Sequence, residues 1–157
     1  MENSETLLET WTARASGFRC DAVISGPPTW PVLSIGLGER HQLSVSEEFL
    51  RKYPEASYRN DFSIFVEAPW GWFLHNSLVC SSDDEYSDDV GAALCSIVGS
   101  QLVKVERNYH LKNVDIFFGN GWTLSVPLDD DEDQLTFLEN GESLTLSGKA
   151  DEKMETK

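Results

Sequence analysis

The sequence predicts an α+β fold, a single domain over residues 1–148 with a C-terminal antiparallel β-meander and two or three short helices. Three observations predict it. Stretches of alternating apolar and polar residues recur from Ile97 to Leu146, and alternation puts every second side chain on one face. Asn-Gly pairs at Asn120-Gly121 and Asn140-Gly141 punctuate them, and this pair tolerates the positive φ of tight hairpins. Elsewhere, short stretches carry apolar residues at helical spacing.

In chain order, Leu7, Leu8, Trp11 and Ala15 share one face of a helix over residues 4–15, with Thr6 and Glu9 as a capping box, Arg14 at its edge and Gly17 as a stop. Phe18–Ser25 reads as a strand broken by Gly26-Pro27-Pro28. Trp30–Leu37 reads as a second strand, which Gly38-Glu39 turns into His41–Val45. Ser44 and Glu47 form a capping box for a helix from about Ser46 to Tyr53, ended by Pro54. Glu55–Asn60 is polar and reads as loop. Asp61–Ala68 is a strand with Phe62, Ile64 and Val66 on one face and Phe65 on the other. After Pro69-Trp70-Gly71, Trp72–Cys80 resumes an extended pattern, and Phe65 and Phe73 suggest cover on both faces. Ser81–Asp89 is a charged linker and a possible subdomain break. Val90, Leu94, Ile97 and Val98 then define a helix face, N-capped by Asp88 or Asp89 and stopped by Gly99. The meander follows as Gln101–Arg107, Asn113–Phe118, Trp122–Leu128, Gln134–Leu138 and Ser143–Ser147. Residues 149–157 read as a flexible tail.

Charge is the unusual feature of the composition. Twelve basic and 27 acidic residues leave a net −15. Residues 1–80 hold six basic and ten acidic residues, and residues 81–157 hold six and 17, so the second half carries −11. Such a field repels nucleic acid and anionic membrane and attracts basic proteins. No run of 18 apolar residues offers a membrane span, and the acidic N-terminus does not read as a secretory signal. Three widely spaced cysteines argue against a disulfide framework and for a reducing, cytoplasmic setting.

Searches for chemistry return little. His41, His75 and His110 lie far apart, and there is no Cys-x-x-Cys, so no metal or other cofactor is expected. Asp129-Asp130-Asp131-Glu132-Asp133 lacks the alternating ligands and glycine of a calcium loop and reads as a solvated hairpin loop. Gly36-Leu37-Gly38 lacks the third glycine and the long helix of a phosphate cradle. Cys95, beside an apolar helix face, reads as buried. Cys80, ending a strand among polar residues, reads as the accessible thiol.

Phe62-Ser-Ile-Phe-Val-Glu-Ala-Pro-Trp70 resembles the strand-Pro-Trp pattern of an uncharacterised family of small bacterial proteins. Their strand ends in Cys-Pro-Trp-Arg, followed by a Ser-Asp pair, a helix and a meander. Here Pro69-Trp70 is kept, Ala68 and Gly71 stand at the cysteine and arginine positions, and Ser82-Asp83 and Val98-Gly99 match loosely. The resemblance implies a bacterial source and an α+β fold, and it brings no activity with it. More loosely, the chain is similar to immunity proteins of bacterial toxin systems, which are small, acidic and free of catalytic motifs.

The leading expectation is therefore an acidic protein-binding module, of the toxin-neutralising type, that docks on a basic protein surface and is not an enzyme. Its candidate charges are Asp83, Asp84, Glu85, Asp88 and Asp89 together with Asp129, Asp130, Asp131, Glu132 and Asp133. Its candidate aromatic anchors are Trp70, Trp72 and Tyr86. The alternatives are an inhibitor imitating nucleic acid, a hydrolase or transferase using Cys80 or His75 with a carboxylate, and an oligomer pairing through a meander edge.

Overall fold

The computed structural model describes residues 4–42, 58–139 and 142–148. Helix α1 (Ser4–Ala15) leads into β1 (Cys20–Ile24), β2 (Leu33–Gln42), β3 (Tyr58–Glu67), β4 (Gly71–Leu74) and β5 (Ser77–Ser81). Helix α2 (Asp88–Leu94) and a 3-10 turn (Cys95–Ile97) precede β6 (Leu102–Asn108), β7 (Asn113–Phe118), β8 (Trp122–Pro127), β9 (Gln134–Glu139) and β10 (Glu142–Ser147). The expected helix at 46–53 with its Ser44/Glu47 box, the turn at Asn140-Gly141 and the expected tail at 149–157 lie outside the described residues.

The strands form two antiparallel five-stranded sheets, ordered β1-β2-β3-β9-β10 and β5-β4-β8-β7-β6. Alternation decides which side chains go inward. Phe62, Ile64 and Val66 on β3, Val114, Ile116 and Phe118 on β7, Leu124 and Val126 on β8, and Leu135 and Phe137 on β9 are all buried. They join Leu8, Trp11 and Ala15 of α1 and Leu94 of α2 in one apolar cluster. Trp11 packs edge-on against Phe137 at 4.8 Å and Phe62 at 5.8 Å, and its indole N–H donates to the Leu138 carbonyl at 3.0 Å. Trp72 stacks on Trp122 at 5.2 Å and donates to the Ala93 carbonyl, which ties α2 to the second sheet.

The C-terminal strands do not form one meander. β6, β7 and β8 do, but β9 leaves the sheet and pairs with β3, Ile64 opposite Phe137. The physical reason is occupancy: the free edge of β8 is already taken by β4, Trp72 opposite Leu124. Asp129–Asp133 is therefore a crossover between sheets and not a hairpin loop.

Several local expectations are corrected by tertiary contacts. Thr6 lies inside α1, not at its cap. Gly38-Glu39 makes no turn: β2 runs through to Gln42, and these two residues oppose the single Asp61 in a β-bulge, with Gly38 at φ +82°. Tyr58, Arg59 and Asn60 belong to β3, not to a loop. Trp72–Cys80 is a hairpin whose turn residues His75 and Asn76 both take positive φ. Residues 30–32 precede β2, which begins only at Leu33. Helix α2 is N-capped by Ser87, whose hydroxyl accepts from Val90 N–H; Asp88 and Asp89 fill the first turn, and Val98 is exposed. Among the described residues no helix is long and apolar enough to cross a membrane.

Candidate functional site

The chain changes sheets through 68–70, between β3 and β4, and again through 128–133, between β8 and β9. Because β3 pairs with β9 (Glu67 opposite Gln134) and β4 with β8 (Gly71 opposite Ser125), the two crossovers run side by side. Between them opens a cleft of about 380 Å³. Its apolar lining comes from Pro31, Val32, Ala68 and Pro69. Its charge comes from Glu67, Asp83, Glu132 and Asp133. The two acidic runs, remote in sequence, thus deliver carboxylates to one place.

The acidic residues divide by what they touch. Asp84 accepts the Ser81 N–H at 2.7 Å, and its own N–H donates back to the Ser81 carbonyl. Asp133 accepts the N–H groups of Asp129 and Asp130 at 3.1 and 3.0 Å. These two carboxylates shape their loops, as aspartate does wherever it can reach nearby backbone. Asp83 and Glu132 are exposed at the cleft rim. Glu85, Asp88 and Asp89 continue the negative surface on the 81–89 side, as do the exposed Asp130 and Asp131 on the other. Among the described residues no three His, Cys, Asp or Glu side chains gather closely enough to hold a metal ion.

The aromatic anchors need correction. Trp70 and Trp72 are 2% and 1% exposed and cannot meet a partner. Trp70 instead locks the first crossover: its indole N–H donates to the Pro31 carbonyl at 2.8 Å, and its backbone exchanges hydrogen bonds with Ser82. Tyr86 does reach solvent, at 37% exposure. It lies 5.0 Å from Trp30, a residue that sequence reasoning passed over, and Trp30 lies 5.5 Å from Trp70. The Trp30 indole donates to the Asp84 carbonyl at 3.1 Å, which joins this aromatic ledge to the acidic run. Its signal was Trp30-Pro31 in a Pro-rich break, where the ring is only partly buried.

The expected ranking of the thiols is reversed. Cys80 is buried, on the inward face of β5, and burial followed by the nearby Asp84 pushes its thiol up from the ordinary value. A catalytic thiol needs the opposite shift. Cys95, the first residue of the 3-10 turn after α2, is the exposed cysteine. His75, at the hairpin tip, lies over Gly121. Neither Cys80 nor His75 lines the acidic cleft.

A second polar cluster surrounds the β2 bulge. The Asp61 carboxylate meets His41 Nε2 at 2.6 Å and accepts the Glu39 N–H at 2.8 Å, and these hold its carboxyl below the usual range. Asp21 is held low first by the Asn60 amide and then by Arg40, which reaches it through Nε and a terminal nitrogen. These contacts brace the bulge.

No protein-family model, curated protein or solved structure matches this chain.

Proposed function

We propose that this protein is an acidic binding module that inhibits or neutralises a basic protein partner, in the manner of a toxin-immunity protein. The observation that carries the reading is the convergence of Glu67, Asp83 and Glu132 on one apolar-floored cleft, with Asp133 shaping its rim. Separated acidic loops brought together this way form a local negative field that steers a cationic surface and fixes its register. The apolar floor supplies the area that charge alone does not. The concave site supports protein binding over imitation of nucleic acid, which calls for projecting charges that enter a basic groove. The buried, raised thiol of Cys80 speaks against the catalytic alternative. The net −15 points the same way.

The test compares two variants of equal net charge against a small basic probe protein, cytochrome c, at low ionic strength. Glu67→Gln/Asp83→Asn/Glu132→Gln neutralises the cleft. Glu5→Gln/Glu9→Gln/Glu142→Gln removes the same charge from α1 and β10. Three exposed ion pairs together contribute about tenfold in affinity. The cleft variant is expected to lose about that much and the control no more than about twofold. Equal losses would assign binding to net charge alone and end this reading.

A further inference from the structure

We infer that the Trp30–Tyr86 ledge seats an arginine side chain of the basic partner, an inference that rests on the protein-binding function proposed above. The ledge is pre-organised. Trp30 is fixed from three sides: its backbone N–H donates to Gly26, its indole N–H donates to Asp84, and its ring meets the buried Trp70 at 89°. Tyr86 lies over two bare glycines. A methyl group at Gly26 would stand 3.0 Å from the ring carbon Cζ, and one at Gly91 would stand 2.5 Å from the phenol oxygen. Two positions without a side chain thus let a half-exposed ring lie down beside Trp30 rather than project into water.

The surroundings specify the occupant. Residues 26–32 and 81–89, which build the ledge, contain no lysine or arginine, and the second segment carries five carboxylates. Lys104 over Phe117 and Arg107 over Tyr109 show the protein filling aromatic faces with its own cations, but both pairs belong to the β6–β7 side. The ledge is contiguous with the cleft, since Trp30 precedes Pro31 of its lining and Asp84 follows Asp83. A guanidinium suits this combination: its plane stacks on an aromatic face while its edge donates to carboxylates in a fork. A compact, strongly hydrated ammonium does only the second.

The test titrates the full-length protein with nona-arginine and nona-lysine peptides at one low ionic strength, followed by calorimetry. Nona-arginine is expected to bind about fivefold more tightly, the factor that a cation–π contact of about 1 kcal/mol yields. Tyr86→Leu should bring that ratio close to one, and Tyr86→Phe should restore it. The cleft variant Glu67→Gln/Asp83→Asn/Glu132→Gln should weaken both peptides alike and leave the ratio standing. Equal binding of the two peptides by the wild type, or a ratio unchanged in Tyr86→Leu, would overturn the arginine seat while leaving the cleft reading intact. Binding of neither peptide would overturn both. Should Tyr86→Leu fold poorly, Gly91→Ala, whose methyl displaces the same ring at its phenol end, must abolish the ratio or the inference fails.

Discussion

Gly91→Ala should alter the ledge while hardly altering stability. Gly91 is buried in α2, and the added methyl would stand 2.5 Å from the Tyr86 phenol oxygen and 3.2 Å from its Cζ. Something must move, and the phenol is the free end of a half-exposed side chain, so the ring swings outward. Two opposed quantities decide the net cost. Alanine favours a helix over glycine by about 0.8–1.0 kcal/mol. Loss of the Trp30–Tyr86 edge contact costs about 0.5–1.5 kcal/mol. The difference stays within about 1 kcal/mol, and in a domain of this size that moves the melting temperature by no more than about 4 °C in either direction. Thermal unfolding followed by circular dichroism measures the shift, and the arginine-over-lysine binding ratio reports the ring. A fall of about 8 °C or more would mean that Tyr86 is wedged and cannot swing. An unchanged melting temperature with an unchanged ratio would mean that the ring does not rest on Gly91.

Three further outcomes are expected. Asp84→Ala, which removes the acceptor for the Ser81 N–H, should cost about 1 kcal/mol and lower the melting temperature by about 2–4 °C; Asp83→Ala should leave it unchanged, and the reverse order would refute the division between shaping and binding carboxylates. Asp61 has a folded pKa below its ordinary value, so its contribution is complete above about pH 3.9 and disappears as pH falls through the lowered value. The gap in melting temperature between wild type and Asp61→Asn should therefore be full at neutral pH and close in acid; a gap that widens in acid would contradict the His41 and Glu39 contacts. Burial pushes the Cys20 thiol up to about 12 and also raises Cys80, so one thiol of three should react quickly with Ellman's reagent, and Cys95→Ser should remove that reaction. Persistence of the fast phase in Cys95→Ser would place the accessible thiol elsewhere.

The candidate site was only half legible in the chain. Both acidic runs could be recognised as charge, but nothing local says that they meet. Their meeting depends on β9 choosing β3, and that choice depends on β4 occupying the edge of β8. The tryptophans show the same limit. Trp70 and Trp30 both sit beside proline, yet one is sealed under the crossover and the other is only partly buried, and the Trp70 indole finds the Pro31 carbonyl from inside. Cys80 and Cys95 exchanged their expected exposures: strand pairing set the phase of β5, and Cys95 lies past the end of α2 at the start of a 3-10 turn.

By itself the sequence determined most of the strands and their inward faces, the helices that begin near Ser4 and Asp88, and the sign of the net charge. Those follow from a side chain's immediate neighbours and from the two-residue repeat of an extended chain. Only the tertiary structure decided which strand edges paired, which loops came together and which rings stayed wet. Pairing partners compete for a limited number of edges, and that competition is settled across the whole molecule and not within any window of its sequence.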